Sequence, residues 1–358
     1  VSPPLNGTDG PADLPADWRA LAFDPPRAFG TPPLRGRIRS EPEDFSVDEE
    51  LAFQPEGEGP HVLLRVRKRG ANTEWVAREL ARLAGCRAAD VGFAGQKDRH
   101  AVTTQWFTVP AARRAAADWP GISGTDFTVL EAHAHRRKLP RGALKRNHFE
   151  LRIRECVGDR AALEAHVALL AARGVPNYFG PQRFGRDGAN LERAWRAAES
   201  PERRGHERPI ERSFRLSAAR SVVFNAINAA RVADGTWSEL EAGDVANLDE
   251  RGTVFGVAAV DAILAERCRA LELHPTGALW GRGDPGTHGR IRTLEAQCAA
   301  PFEALLRMLA AAGLEHERRS LRLVARGLAI EWSGADLLCR FSLPPGAYAT
   351  AVLRELVI

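Results

Sequence analysis

Residues 91–109, VGFAGQKDRHAVTTQWFTV, restrict the fold more than any other stretch of this chain. The apolar run 91–94 predicts a buried strand, and Gly95 ends it. Five polar side chains, Gln96 to His100, fill one loop. The Thr-, Val- and aromatic-rich run 101–109 predicts a second strand. A plain solvent hairpin would carry Asn-Gly or Asp-Gly at this point. Here Asp98 sits between Lys97 and Arg99, on a loop that two strands hold in place, the rigid mount a reactive side chain needs.

The surrounding pattern extends the sheet. Runs 34–38 and 45–51 predict strands around the turn Glu41-Pro42-Glu43-Asp44. In 61–67, Val62, Leu64 and Val66 share one face of a half-buried strand. The turn 70–73 ends in an N-cap, and Val76, Leu80 and Leu83 predict a helix stopped by Gly85. Residues 126–130 predict a strand, as do 149–154, where Phe149, Leu151 and Ile153 alternate with charges. Asp159 caps a helix ended by Gly174. Residues 190–320 read as mostly helical, with a charged linker at 203–212 and a long amphipathic helix at 217–233. Gly281 to Gly286 fits G-x-G-x-x-G, but Pro285 interrupts it and no strand or helix is read beside it, so a dinucleotide site is rejected. Strands return over 321–343, and a last helix spans 348–356. Strand-rich, helix-rich, strand-rich is the order expected of one sheet domain built from both ends of the chain, with a second domain inserted.

A length of 358 residues fits two domains. No apolar run reaches the roughly 18 residues of a membrane span, and residues 1–17, rich in Pro and Gly, predict a loose tail rather than a secretory signal. The five cysteines are scattered, without C-x-x-C or H-E-x-x-H spacing, which argues against a disulfide framework or structural zinc and for a reducing cytoplasm. The net charge of +4 and the sequence pI near 9.0 suit a polyanionic partner or, equally, a basic surface without one. Lys68, Lys97, Lys138 and Lys145 are the chain's four lysines, all between residues 68 and 145; codon bias with partly chance clustering is one cause, a need for compact ammonium groups where a planar guanidinium would not fit is the other.

Residues 133–146, HAHRRKLPRGALKR, contain no acid and are broken by Pro140 and Gly142. They predict a basic loop, with Arg137, Lys138 and Lys145 as phosphate contacts; a solvated charge run is the plainer alternative. His133 and His135 lack a third ligand nearby, so no metal is expected. Residues 175–190, VPNYFGPQRFGRDGAN, mix aromatics, glycines and Arg183. They suit either a base-stacking surface with Arg183 on the RNA backbone or a packed loop.

Several of these stretches, taken in order, carry a resemblance. FAGQKDRHAVTTQW, GALKRNHF, VPNYFGPQRFG, SFRLSAARSVVFN and FSLPPGAYATAVLREL resemble the TruD family of tRNA pseudouridine synthases, from about Gly36 to the C-terminus. The resemblance implies an isomerase that converts uridine 13 in the D arm of tRNA to pseudouridine, with no cofactor and no metal. It implies an α+β fold: a pseudouridine synthase catalytic domain with a mixed, mostly antiparallel sheet, formed by 1–172 and 320–358, and an inserted α/β TRUD domain at 173–319. The family's catalytic aspartate falls on Asp98, and its other active-site positions fall on Phe45, Asn147 and Tyr348, where a phenylalanine is usual in place of the tyrosine. Phe149 is a further candidate to stack on a flipped base. Asn147 can read the uracil edge or hold the ribose. Asp98 must be ionised, as nucleophile or as base, beside a cation. Lys97 is one candidate for that cation; the alternative is that Lys97 meets a phosphate while an arginine from elsewhere pairs with Asp98. Arg99, His100 and Gln105 are lesser site candidates. The expected partner is tRNA, with no membrane and no protein partner, and a monomer is the default. A non-catalytic RNA-binding or RNA-folding protein is the alternative reading. A methyltransferase is disfavoured, because no glycine-rich cofactor loop was read between a strand and a helix.

Overall fold

The computed structural model of the chain describes residues 14–200 and 207–358. The predicted tail up to residue 13 and the 203–206 part of the predicted linker lie outside the described residues. Two compact units are present. One comprises Pro32–Ala172, Ala325–Ala349 and Leu356–Ile358; the other comprises the described residues up to Thr31, Arg173–Val324 and Thr350–Glu355.

The first unit is built on one mixed nine-stranded sheet. Its first seven strands are β1 (Leu34–Ile38), β2 (Phe45–Leu51), β3 (His61–Arg69), β4 (Gly92–Phe93), β5 (Val102–Pro110), β6 (Phe127–His135) and β7 (Leu144–Gly158). The chain then enters the other unit, with β8 (Val175–Pro176), β9 (Val245–Leu248), β10 (Val254–Gly256), β11 (Leu273–Leu279), β12 (Glu317–Ser320) and β13 (Arg322–Leu323). It returns with β14 (Arg326–Ser333) and β15 (Asp336–Leu343). The large sheet runs β14-β15-β7-β2-β5-β3-β6, with β1 antiparallel to β7 and β4 antiparallel to β5. β2 and β5 pair in parallel, Ser46 opposite Val102, and the remaining pairs are antiparallel. The predicted strands are therefore present, and β6 extends through His135, into the block expected to be loop.

The pleat sorts this sheet into two faces. On one face of β3, Val62, Leu64 and Val66 join Phe107 and Val109 of β5 beneath the helix Thr73–Ala84, whose Val76 and Leu80 are fully buried. Burial of each such side chain is worth about 1.5–3 kcal/mol. Gly85 closes that helix in the left-handed conformation, φ 65°. Thr73 was expected to cap its start. Asn72 takes the N-cap position instead, with no side-chain cap bond, which leaves the Thr73 hydroxyl for another task.

In the second unit, the long helix starts at Pro209 rather than at 217, so the 209–212 part of the predicted linker is helical. Pro209 occupies the first turn and Glu211 supplies the acid there. This helix packs on a four-stranded sheet, β10-β9-β11-β12, in a region expected to be mostly helical. A Cβ at Gly277 of β11 would lie 2.8 Å from Leu321 Cδ2 and 3.2 Å from Phe224 of the helix, so glycine allows that close approach. Contrary to expectation, Gly281–Gly286 does lie between a strand, β11, and a helix, Gly289–Ala299. However, β11 is antiparallel to both of its neighbours, and the Asp284 carboxylate already accepts the Gly286 N–H at 2.7 Å. A dinucleotide fingerprint needs a parallel βαβ unit with those amides open to phosphate. In the 175–190 stretch Tyr178, Phe179 and Phe184 are buried. The buried Asn225 amide accepts from Phe179 N and donates to the Phe179 and Leu21 carbonyls. These aromatics belong to a packed loop. Among the described residues no helix is long and apolar enough to cross a membrane.

Candidate active site

Parallel pairing of β2 with β5 brings the segments that lead into them to one edge of the sheet. The segment before β2 carries Arg39, and the segment before β5 carries the polar loop 96–100. Arg39 Nη1 lies 3.0 Å from Asp98 Oδ2. The Arg39 guanidinium also lies over the Phe45 ring, 4.2 Å from its centroid. Arg39 adopts φ 57°, a left-handed conformation that an arginine holds only against a cost of about 1–3 kcal/mol. The turn that follows is locked by the buried Asp44 carboxylate, which accepts from Glu41 N and pairs with Arg154.

The Asp98 loop is pinned from several directions. Lys97 N donates to Thr73 Oγ1 at 3.0 Å, and that hydroxyl donates to Gln105 Oε1 at 2.9 Å. Gln105 Nε2 reaches the Gly95 carbonyl at 3.3 Å, and Gln96 Nε2 donates to Glu74 at 3.0 Å. Lys97 Nζ is 2.5 Å from Glu49 Oε1, and Glu49 Oε2 accepts the Trp106 N–H. Lys68 Nζ donates to the carbonyls of Ala71, at 2.7 Å, and Asp98, at 3.1 Å. Burial pushes the Lys68 ammonium down to about 8, against the pull of Asp98 and with the push of Lys97. The Asp98 carboxylate itself stays one-third exposed, and its Oδ1 accepts the His100 N–H at 3.0 Å.

Lys97 points away from Asp98, as neighbours in an extended segment do. Its ammonium is almost fully buried on Glu49, so it neither pairs with Asp98 nor faces a phosphate. Arg99 reaches the Gly70 carbonyl, and Gln105 is a buried support of the loop. Phe45, Val47 and Glu49 of β2 stand opposite Leu151, Phe149 and Asn147 of β7, on one face of the sheet. Phe149 is buried between Phe45, edge-on at 6.0 Å, and Phe341, stacked at 5.3 Å, so its ring backs Phe45. Asn147 sits beside Glu49, and its amide oxygen is buried without a hydrogen-bond partner among the described residues. Tyr348, half-buried, follows the turn that leaves β15, whose last residue, Leu343, pairs with Asn147.

The basic block divides. Lys145 and Arg146 lie on β7, and both engage Glu50, whose carboxyl is held below its ordinary range by Lys145 and His148. Arg137 and Lys138 lie on the exposed loop between β6 and β7; Lys138 donates to the Ala89 carbonyl, and Arg141 lies over Phe93. Gly142 N donates to the Ala94 carbonyl at 2.8 Å, which docks this loop beside the strand that feeds Asp98. Lys138 and Arg141 line a cleft of about 610 Å³ together with Glu74, Arg78 and Phe93. Arg183 belongs to the other unit, where it donates to Ser217 Oγ. His135 stacks on Phe53 and lies near Glu56. Among the described residues no group of His, Cys, Asp or Glu could hold a metal.

Sequence reading assigned none of Arg39, Glu49, Lys68 and Thr73 to the site: Lys68 stood out only as one of the four clustered lysines, and Thr73 only as a helix cap. For Glu49 and Lys68 a signal existed: each continues the inward, apolar phase of its strand, Phe45-Val47-Glu49 and Val62-Leu64-Val66-Lys68. Arg39 carries no local mark beyond its place before the turn.

Comparison with known proteins agrees along nearly the whole chain. The family model described as tRNA pseudouridine synthase D (TruD) matches residues 27–192 and 207–356. The tRNA pseudouridine synthase D of Methylococcus capsulatus is 48% identical over 341 residues, covering 93% of this chain and 94% of that protein. The protein of the same name from Pseudomonas aeruginosa is 43% identical, with 93% of each covered. The crystal structure of the putative tRNA pseudouridine synthase D from Methanosarcina mazei shares the fold, with a TM-score of 0.69 over 97% of this chain and 98% of that one, at 20% identity.

Proposed function

The chain belongs to the TruD family of tRNA pseudouridine synthases, isomerases of tRNA, and we propose that it converts uridine 13 of the D arm to pseudouridine with Asp98 as the reacting carboxylate and no cofactor. The observation that carries this reading is the contrast within one loop. Its backbone and neighbouring side chains are tied down on several sides, while the Asp98 carboxylate remains accessible and is held against Arg39. The Arg39 guanidinium at 3.0 Å holds one carboxylate oxygen, and the His100 N–H fixes the orientation of the second.

The target base is flipped out of the folded RNA at a cost of about a few kcal/mol. The C1′–N1 bond breaks, the uracil turns, and C1′ bonds to C5; C5 gives up its proton and N1 gains one, so the product is an isomer. Asp98 acts on the ribose or the base during bond exchange. The Asn147 amide oxygen, buried without a partner among the described residues, is offered to a donor such as the uracil N3–H or a ribose hydroxyl. Tyr348 supplies a stacking face, and Phe45, backed by Phe149, seats Arg39. Arg137 and Lys138 take tRNA phosphates beside the site, with Lys145 and Arg183 as further backbone contacts. All the proposed reacting and base-contacting residues lie in the unit built on the large sheet, which is proposed as the catalytic domain; its bounds differ from the expected 1–172 with 320–358, because the described residues up to Thr31, residues 320–324 and Thr350–Glu355 group with the expected insert, 173–319. The five cysteines are free, which fits work in the reducing cytoplasm, as a monomer.

Pseudouridine mapping on an unmodified tRNA carrying uridine 13, with the protein alone and no added cofactor, tests this. Signal at that position is expected with the natural chain and not with Asp98→Asn, whose tRNA affinity stays within a few-fold. Undiminished turnover by Asp98→Asn would remove Asp98 from the reaction, and signal at another uridine would replace the target.

A further inference from the structure

Lys68 is the one inward-facing residue of β3 that breaks an otherwise apolar row. Val62, Leu64 and Val66 precede it on the same face and belong to the core under the helix Thr73–Ala84. Lys68 is just as buried, at 1% exposed, and it ends in an ammonium. It forms no ion pair with any described residue. Its partners are two backbone carbonyls, those of Ala71, before the helix, and Asp98. The charged groups around it are otherwise engaged. Asp98 is held by Arg39, and Lys97 by Glu49. Filling this space needs no charge, and an unpaired buried ammonium costs folding free energy that an apolar side chain of similar volume would not.

We propose that Lys68 is a positioning residue for the reaction: by bridging the Ala71 and Asp98 carbonyls from below, its ammonium sets the height and orientation at which the loop presents the Asp98 carboxylate. This rests on the assignment of Asp98 above. The mechanism is geometric. Lys68 grips the backbone of the residue whose side chain reacts, so loss of the grip moves the carboxylate without touching the tRNA surface. A misplacement of about 1 Å at a reacting group is enough to cost about a hundredfold in rate. Burial brings the Lys68 ammonium within reach of discharge at about pH 8, with Asp98 opposing that shift and Lys97 adding to it.

The test measures single-turnover pseudouridine formation from pH 6 to 9.5, tRNA affinity and thermal unfolding for the natural chain, Lys68→Met and Asp98→Asn. Lys68→Met is expected to fold with an unchanged or higher Tm, to bind tRNA within about twofold of the natural chain, and to react at least tenfold more slowly at pH 7. The rate of the natural chain is expected to fall above about pH 8, and that break is expected to be absent from Lys68→Met. Stability and rate thus move in different directions, which a purely structural lysine would not allow. A Lys68→Met rate within twofold of the natural one, or a slower rate that merely tracks lost folded protein, overturns the proposal, as does a natural profile that stays level to pH 9. Should Lys68→Met not fold, the natural profile decides alone. Activity in Asp98→Asn would remove the Asp98 assignment itself. An inactive Asp98→Asn beside an unimpaired Lys68→Met would remove only the role of Lys68.

Discussion

Arg39 Nη1 and Asp98 Oδ2 lie 3.0 Å apart, while the same guanidinium rests on the Phe45 ring. One side chain therefore joins an aromatic position from the start of β2 to the carboxylate from the loop before β5. A planar cation suits both tasks, because it can stack with its face and donate with its edge.

Replacing Arg39 separates those tasks. Arg39→Met removes the charge-assisted contact, and the rate of pseudouridine formation should fall by about ten- to hundredfold, the equivalent of about 1.5–3 kcal/mol. Arg39→Lys keeps a point charge but loses the flat contact with Phe45, so its rate should lie between the two. Single-turnover kinetics at saturating protein check the order; a natural rate in Arg39→Lys would show that the stacking contributes nothing, and equal rates for both variants would show that the charge alone contributes nothing.

The basic loop should act through salt. Arg137 is exposed and forms no ion pair with a described residue, whereas Lys145 is already on Glu50. Arg137→Ala should therefore weaken tRNA binding and lower the slope of log K against log salt by about one. Lys145→Ala should change that slope less. Filter binding at several salt concentrations measures both, and an unchanged slope for Arg137→Ala would place the loop in plain solvent.

Gly92 controls where that loop docks. A Cβ there would lie 2.4 Å from Thr108 Oγ1 and 2.7 Å from the Leu139 carbonyl, and Leu139 N donates to that same hydroxyl. Gly92→Ala must push the loop backbone outward, at a cost of about 1–3 kcal/mol. Thermal unfolding should show the loss, and tRNA affinity should fall with it. A variant as stable as the natural chain would mean that the loop moves freely.

Glu355 gives the second unit a pH dependence. Its side chain is fully buried beside Arg354, and burial pushes its carboxyl up to about 7. Between the ordinary carboxyl range and that value, the folded chain holds a proton that the unfolded chain releases. Stability from this group is therefore full in acid and is lost as pH rises towards 7. Glu355→Gln should flatten the decline, so the Tm of the natural chain relative to the variant should be lower at about pH 7.5 than at about pH 5. A constant difference would contradict the shift.

The large sheet was legible because its strands alternate cleanly, and the Asp98 loop because a solvent turn would not spend five polar residues there. Lys97 was named for its place in sequence beside Asp98, but alternation sends adjacent side chains to opposite sides, and its partner, Glu49, lies on another strand. Arg39 could not be read, since its link to Asp98 depends on a parallel pairing that no local pattern encodes. The small sheet of the second unit stayed hidden for a different reason. β9 and β10 are short, and β11, LHPTGAL, is buried along nearly its whole length and carries Pro275 and Gly277, so it shows neither alternation nor a strand-like composition. The aromatics at 178–184 showed the limit of composition: the same residues serve a stacking surface or a core, and here Asn225 ties their backbone inward.

The parallel register of β2 against β5 also orders events in time. Arg39 and Asp98 cannot meet until β3, the helix Thr73–Ala84 and β4 have been threaded between them, a closure whose entropic penalty grows with the logarithm of the chain enclosed. Contacts of this separation form slowly compared with hairpins. A nascent chain that has made β2 but not β5 carries the arginine without its carboxylate. The Arg39–Asp98 pair is thus withheld from incomplete molecules, and arrives only when the sheet has closed.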